Sequence, residues 1–464
     1  MLETHPDHKE ILLVKDMANT AWPGLLAAQS FFLTANLDEE LFQCLMRAYQ
    51  NFTIVCGVLQ LTTPRDAFLT SLCKGAVPPS VIAASLAENK ATQGATPNAG
   101  AGDIPSVSLS DRNLACLKIL LNIAQQLGGV LDDSWYLVLE TLQLADFILF
   151  HKYARGPPQN SRRIGTHQNA SSSAISLHAS TNPPNTSTAI KSKRSTASSA
   201  GVTTLGSSVQ ASTSNSSITS QQSAIDNDLN VLATQIKKLF ENSKYLDDAA
   251  LQSFTKALCR LNTQTNGISL EDNASAGADS EKMEKGFKTT PLTALRGNKS
   301  DEKSFAIEKL RIVALLNMHR LVTHELSLIW DLIVLHLIAT ANCISVPQPI
   351  RMQACESLDE AVISSMNHAS SNQNETNERI QLQLLISLNQ LVNNPERHST
   401  STGNKGQYVE VRKMGLETLN KLLQTSGHSF TNGWNMIFEM IKSVVILSSF
   451  GECEEEEGGS VGVT

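Results

Sequence analysis

The chain has 464 residues, a formal net charge of −7 and 41% hydrophobic residues. That length accommodates two or three compact domains or one extended stack, and the acidic balance argues against a dedicated nucleic-acid binder, which is normally basic. With only five Tyr and four Trp beside abundant Leu and Ala, and no run of alternating β-branched residues, the composition predicts an all-α fold.

A short apolar piece at 11–17 opens the chain and reads as too brief for a helix of its own. From 21 to 79, apolar residues recur at helical spacing through Leu25, Leu26, Phe32, Leu41, Leu45, Phe52 and Val55, with breaks at Asn36 and Asp38 and again at 62–64. This predicts three helices joined by short turns. At the second break Thr63 is placed as the cap, Pro64 at the first helical position and Asp66 in the first turn. Pro64, Arg65 and Asp66 are read as exposed on that turn and form the candidate partner contact; the alternative is a plain helix start. Residues 1–90 are thus assigned to N-terminal helical repeats and 91–108 to a Gly/Ala/Pro/Asn-rich loop. A helical hairpin follows over 109–152. Leu114, Leu117 and Leu121 form one stripe with Leu120, Ile123 and Leu127 beside it, so the first helix is buried on two sides. Gly128 and Gly129 end it, and Asp132, Asp133 and Ser134 offer caps for a second helix that starts at Trp135.

From 147 to 225 there is no Asp or Glu, and Lys152, Arg155, Arg162, Arg163, Lys191, Lys193 and Arg194 stand among Ser, Thr and Asn. Such a stretch buries too little apolar surface to offset chain entropy, so 153–225 is expected to be a disordered basic linker. It is either a plain spacer or a segment that meets an anionic membrane or takes phosphates at Ser192, Ser195 or Thr196. A second hairpin is predicted over 226–262, with Leu251, Phe254, Leu258 and Leu261 on one stripe, then a polar linker over 263–303. C-terminal helical repeats over 304–450 comprise helices at 305–321, 325–341, 349–367, 377–393, 409–424 and 434–449, before an acidic, Gly-rich tail at 451–464. The longest apolar stretch, 326–344, contains Asp331, His336 and Asn342 and is predicted to be a buried core helix, which leaves peripheral membrane association as the expected kind.

Chemical motifs are scarce. No phosphate-binding glycine loop and no nucleophile elbow occurs. His324 and Glu325 begin a zinc-protease-like pattern that fails at Leu328, and His319 adds no cluster. The eight Cys are scattered, mostly on apolar stripes, as reduced core thiols are. No catalytic, cofactor or metal residue is therefore assigned. Trp22, Trp135, Trp330 and Trp434, in WPGLL, WYLVL, WDLIV and WNMIF, each stand near an expected helix start, where an aromatic ring can wedge between neighbouring hairpins. The irregular period excludes ankyrin and tetratricopeptide arrays and fits an armadillo/HEAT-like α-solenoid interrupted by long inserts.

Four blocks in order, AYQNFTIVCGVLQLTTPRDAFLTSLCKGAVPP (48–79), NLACLKILLNIAQQLGGVLDDSWYLVLETLQ (113–143), KYLDDAALQSFTKALCRL (244–261) and NMHRLVTHELSLIWDLIVLHL (317–337), resemble the middle of the Mon-two protein family. These are Golgi and endosomal scaffolds related to the large Sec-seven-class Arf exchange factors. Members are longer at both ends, so the chain reads as a fragment or an incomplete gene, and nothing in it resembles the catalytic Sec-seven domain. The resemblance implies a non-enzymatic scaffold on the cytosolic face of the trans-Golgi network and endosomes, acting in vesicle-mediated protein transport. Its implied partners are a Dopey-type scaffold, a phospholipid flippase and an Arf-like GTPase, with no nucleic acid. A regulator of an Arf-like GTPase without its own catalytic domain is the alternative, and a nuclear-transport-like solenoid a third reading.

Overall fold

The computed structural model describes residues 7–94, 108–153, 214–268, 303–322, 327–369, 374–393 and 405–451. Among them are fifteen α-helices and no strand. The first half comprises α1 (His8–Thr34), α2 (Glu39–Val58), α3 (Thr62–Ala76), α4 (Pro79–Gly94), α5 (Asp111–Gln126), α6 (Trp135–Tyr153), α7 (Ser214–Glu241) and α8 (Asp248–Asn266). The second half comprises α9 (Phe305–Leu316), α10 (Met318–Leu321), α11 (Ser327–Asn342), α12 (Gln348–Ala369), α13 (Asn374–Val392), α14 (Lys405–Ser426) and α15 (Trp434–Gly451).

Local chemistry starts and stops these helices. Asp38 accepts from Leu41 N at 2.8 Å and Asp247 from Ala250 N at 2.7 Å, each satisfying an amide that has no intrahelical partner. Ser110 and Asn113 close a reciprocal capping box on α5. Gly267, at φ +64°, ends α8 in the left-handed region that glycine adopts without a steric cost. Helix α2 ends in the same way without a glycine. Leu61 N donates to Cys56 O and Gln60 N to Gly57 O, with Gln60 held at φ +56°.

Two compact units divide the chain: 1–154 with 229–464, and 155–228, of which the first part of α7 is described. In the larger unit each helix packs mainly on helices within three places of it in the chain. Helix α1 lies on α2 and α3, α3 on α5 and α6, α6 on α8, α8 on α9 and α11, α9 on α12, and α11 on α12 and α13. Beyond them α12 lies on α13 and α14, and α13 on α14 and α15. This serial order bears out the expected all-α solenoid. The predicted stripes face the core: Leu251, Phe254, Leu258 and Leu261 are buried, as are all six apolar residues singled out on α5 and its end. Each such side chain contributes about 2 kcal/mol on burial. An aromatic chain, Trp135–Phe254–Phe240–Phe305, joins α6, α8, α7 and α9 at centroid separations of 4.5, 5.7 and 6.1 Å.

Several boundaries differ from expectation. The 11–17 piece belongs to α1, a 27-residue helix that continues through Pro23. A proline removes one hydrogen bond, and α1 is held regardless, because Trp22, Leu26 and Leu33 pack on the core while Ser30, Tyr49 and Ser71 share hydroxyl hydrogen bonds of 2.8–3.1 Å. Trp22 accordingly lies inside a helix, whereas Trp135 and Trp434 begin theirs and Trp330 stands in the first turn of α11. Helix α4 begins at Pro79, inside the residues read as N-terminal helical repeats but beyond the three helices predicted over 21–79. Helix α7 begins at Ser214, inside the stretch read as linker. The segment expected as one helix over 305–321 breaks at Asn317, whose buried amide donates to Ser243 Oγ at 3.0 Å and Val313 O at 2.9 Å. The loop, linker and tail regions at 95–107, 154–213, 269–302, 394–404 and 452–464 lie outside the described residues, as does Cys453.

Candidate interaction surface

The exposure expected for the Pro64–Arg65–Asp66 turn is not found. Helix α3 starts at Thr62 after Leu61, with no side-chain cap, so Thr63 and Pro64 fall inside the first turn and Asp66 beyond it. Pro64 and Arg65 are buried and Asp66 is half-buried. Arg65 donates to Asp66 Oδ1 at 2.6 Å, to Val130 O and to Ser134 Oγ at 3.4 Å, while Ser134 Oγ donates to Asp66 at 2.6 Å. The guanidinium is consumed in tying α3 to the turn between α5 and α6.

Two further arginines, which the sequence reading did not single out, act the same way. Arg112 donates to Ala35 O at 2.7 Å and to Leu37 O, and lies over the Phe42 ring, so α5 grips the turn between α1 and α2. Arg351, fully buried on α12, donates to Ala341 O at 2.9 Å at the end of α11 and faces the Tyr408 ring of α14. No periodicity reveals such pins, because an Arg on an inner face reads like one on an outer face until the carbonyl it meets is known.

A buried polar cluster joins α8, α11, α12 and Ser304, the residue before α9. Asn262 Nδ2 donates to Thr340 Oγ1 at 3.0 Å and stands 2.9 Å from His336 Nε2, Ser304 Oγ donates to Asn262 Oδ1 at 3.2 Å, and Ser304 N donates to Gln353 Oε1 at 2.7 Å. Burial pushes the His336 pKa down to about 4, so the ring is neutral near pH 7. A polar group in this position is stabilising because it is satisfied. A second titratable group sits between α6 and α8: Glu140, raised by burial, accepts from Tyr136, and Arg260 lies 4.5 Å from the Tyr136 ring centre.

A cleft of about 460 Å³ opens where the turn at 128–130 meets 242–246, lined by Gln125, Gln126, Trp135, Asn242, Ser243 and Tyr245 among others. Its lining contains no carboxylate, imidazole or amine. Among the described residues no three His, Cys, Asp or Glu gather as a metal would require, and His324 lies outside them. Cys44 is exposed and Cys343 half-buried, while Cys56, Cys73, Cys116, Cys259 and Cys355 are buried, as core thiols are. Among the described residues no single helix is long and apolar enough to cross a membrane. Of the longest apolar stretch, most of 328–344 faces the core: Ile329, Trp330, Ile333, Val334, Leu337 and Ile338 are buried.

The feature that stands out is outward. Helices α11, α13 and α15 pack in succession, and each exposes large apolar side chains. Leu328 and Leu335 lie on α11, Leu382 and Ile386 on α13, and Trp434, Phe438 and Ile441 on α15, with Leu328 70% and Phe438 60% exposed. Side-chain bonds tie the three together beside this row: Gln383 donates to Asp331, and Asn432 donates to Glu378 at 3.0 Å. Gly433, at φ +90°, sits where any Cβ would strike Leu385, so the start of α15 is pressed onto α13. The exposed leucines were hidden in the sequence by their own stripes, which supply both the core and this surface. A second exposed apolar group, including Leu13, Met17 and Phe31, lies on α1.

No family model matches the chain. It is 26% identical to Protein MON2 homolog of Xenopus laevis over 456 residues, which is 93% of this chain and 21% of that protein. Protein MON2 homolog of Homo sapiens is likewise 26% identical, over 459 residues and the same shares. Brefeldin A-inhibited guanine nucleotide-exchange protein 3 of Arabidopsis thaliana is 24% identical over 260 residues, 54% of this chain and 13% of that protein. The chain spans about a fifth of the length of the MON2 homologues that it matches. The resemblance to the Mon-two family, and the more distant one to the Arf exchange factors, are borne out.

Proposed function

We infer, from a chain similar to the MON2 homologues along nearly its whole length, that this protein is a non-enzymatic scaffold of vesicle trafficking. The observation that supports this best is the pairing of that similarity with the exposed apolar row of α11, α13 and α15. A serial stack offers a long surface and each helix contacts only its neighbours, so partners are held without disturbing a central core. Two of the buried polar contacts among the described residues, Arg65 with Asp66 and His336 with Asn262, act as structural pins. The partners proposed are a Dopey-type scaffold, a phospholipid flippase and an Arf-like GTPase, at the cytosolic face of the trans-Golgi network and endosomes. Membrane association is peripheral in this reading.

Proximity labelling from the protein in cells tests it. Labelled trans-Golgi and endosomal trafficking proteins are the expected result, and a labelled set without them refutes the reading. The second reading, regulation of an Arf-like GTPase, is favoured by the similarity to an exchange protein over half the chain. Purified protein at micromolar concentration is expected to leave the release of a fluorescent GDP analogue from such a GTPase unchanged; clear acceleration would establish the second reading. Recovery on Golgi membranes after deletion of 154–213 reports on the basic stretch, and this deletion spares α6 and α7.

A further inference from the structure

We propose that the outward face of α1 pairs with the same face of a second copy of this chain, the two helices running antiparallel about a two-fold axis, an inference that stands apart from the scaffold reading. Helix α1 is apolar on two sides. Its inner stripe, with Ala18 buried and Trp22, Leu26 and Leu33 packed on the core, meets α2 and α3. Leu13, Met17, Ala21, Gly24, Ala28 and Phe31 form a second stripe, at the three- and four-residue steps that keep side chains on one helical face, with Val14, Leu25 and Phe32 along its edge. All nine are exposed, Leu13 by 61%, Met17 by 63% and Phe31 by 68%.

The stripe is complementary to itself. Its large residues stand at both ends and its small ones in the middle. Leu13 and Phe31 are eighteen residues apart, as are Val14 and Phe32, which at 3.6 residues per turn is about five whole turns, so each pair shares one bearing on the helix. A two-fold axis passing between Ala21 and Gly24 therefore sets Leu13 against Phe31 of the other copy, Val14 against Phe32, Met17 into the space beside Ala28, and Ala21 against Gly24. Gly24 is an independent sign of this crossing. A glycine inside a helix costs about 1 kcal/mol against alanine. At Gly57, Gly75 and Gly415 a Cβ would stand within 3 Å of a neighbouring side chain, which accounts for those three, but at Gly24 it would meet nothing within 4 Å. No contact among the described residues requires a glycine there, whereas the close approach of a second backbone does. Phe31 and Phe32 stand edge to face at 5.6 Å, which places an aromatic anchor at each end of the pair. The six large side chains leave roughly 600 Å² in water per copy, so two copies together bury a total of about 1,200 Å², the size at which specific interfaces begin. Lys9, Glu10, Lys15 and Asp16 near the stripe are of both signs, so size and not charge chooses the occupant.

Sedimentation equilibrium of the full chain is expected to show monomer and dimer in exchange, with a dissociation constant in the micromolar range. Met17→Glu and Gly24→Leu are each expected to weaken the dimer at least tenfold, with unchanged circular dichroism and a thermal transition no lower than that of the wild type. Gly24→Leu is the sharper variant: it favours the helix and adds apolar surface, so a face that merely aggregates would associate more strongly, whereas a close crossing is blocked. In a Cys44→Ser background, Met17→Cys and Ala28→Cys chains are expected to cross-link under mild oxidation only when mixed. A chain that stays monomeric at every concentration, association that does not stop at two copies, or a dimer that Gly24→Leu leaves unchanged or strengthens overturns the proposal. So does cross-linking of Met17→Cys with itself, or recruitment of a monomer to phosphatidylserine vesicles that Met17→Glu abolishes.

Discussion

Lowering the pH from 7 to 5 should weaken the junction of α8, α11 and α12 through one side chain, His336. In the fold its pKa is held near 4 by burial, against 6.5 for the free imidazole. As pH falls the unfolded chain binds the proton first, so the stabilisation is complete above pH 6.5 and is lost progressively down to about 4. The loss amounts to about 2 kcal/mol between pH 7 and 5, and about 3 kcal/mol over the whole window. Urea unfolding of the wild type and of His336→Gln, at both pH values, measures it. Every other titrating group is common to the two proteins, so the difference between their pH dependences isolates His336. The variant is expected to be about 1 kcal/mol less stable at pH 7, having lost part of the bonding to Asn262. Its disadvantage should vanish or reverse at pH 5. Parallel pH dependences in the two proteins would refute the reasoning, since they would mean that His336 is protonated as readily folded as unfolded.

Three further outcomes follow from the geometry. Gln60→Gly should raise stability by about 1 kcal/mol in urea unfolding, because Gln60 holds φ +56° at the end of α2, a region where only glycine is unstrained. Arg65→Ala should cost about 2 kcal/mol by orphaning Val130 O and leaving Asp66 with Ser134 alone, whereas Arg65→Met with Asp66→Asn should cost less, a double-mutant cycle being the measure. Asp247→Ala should cost about 1 kcal/mol and raise amide exchange in the first turn of α8, where Asp247 caps Ala250 N.

How much of this was legible follows the physics. The stripes of α5 and α8 were readable because each buried residue recurs at the helical period, and burial alone explains them. The helices over 305–449 were placed close to where they lie for the same reason. The start of α3 was misplaced because Thr63-Pro64 is a strong local signal, while the α2 end is decided by Leu61 bonding back to Cys56. Arg65 was misjudged because its partners, Val130 and Ser134, are 65 and 69 residues away. The exposed row of α11, α13 and α15 depends on which helices become neighbours, which periodicity within one helix does not encode.

The aromatic ladder from Trp135 to Phe305 has a further consequence. Trp135 precedes residues 154–213 in sequence, whereas Phe254, Phe240 and Phe305 follow them, yet they share one core. A protease that nicks the chain between 154 and 213 severs the polypeptide but none of these ring contacts. The two pieces should migrate as one species in gel filtration and separate only under denaturant, so wholeness here is a property of side chains more than of the covalent thread.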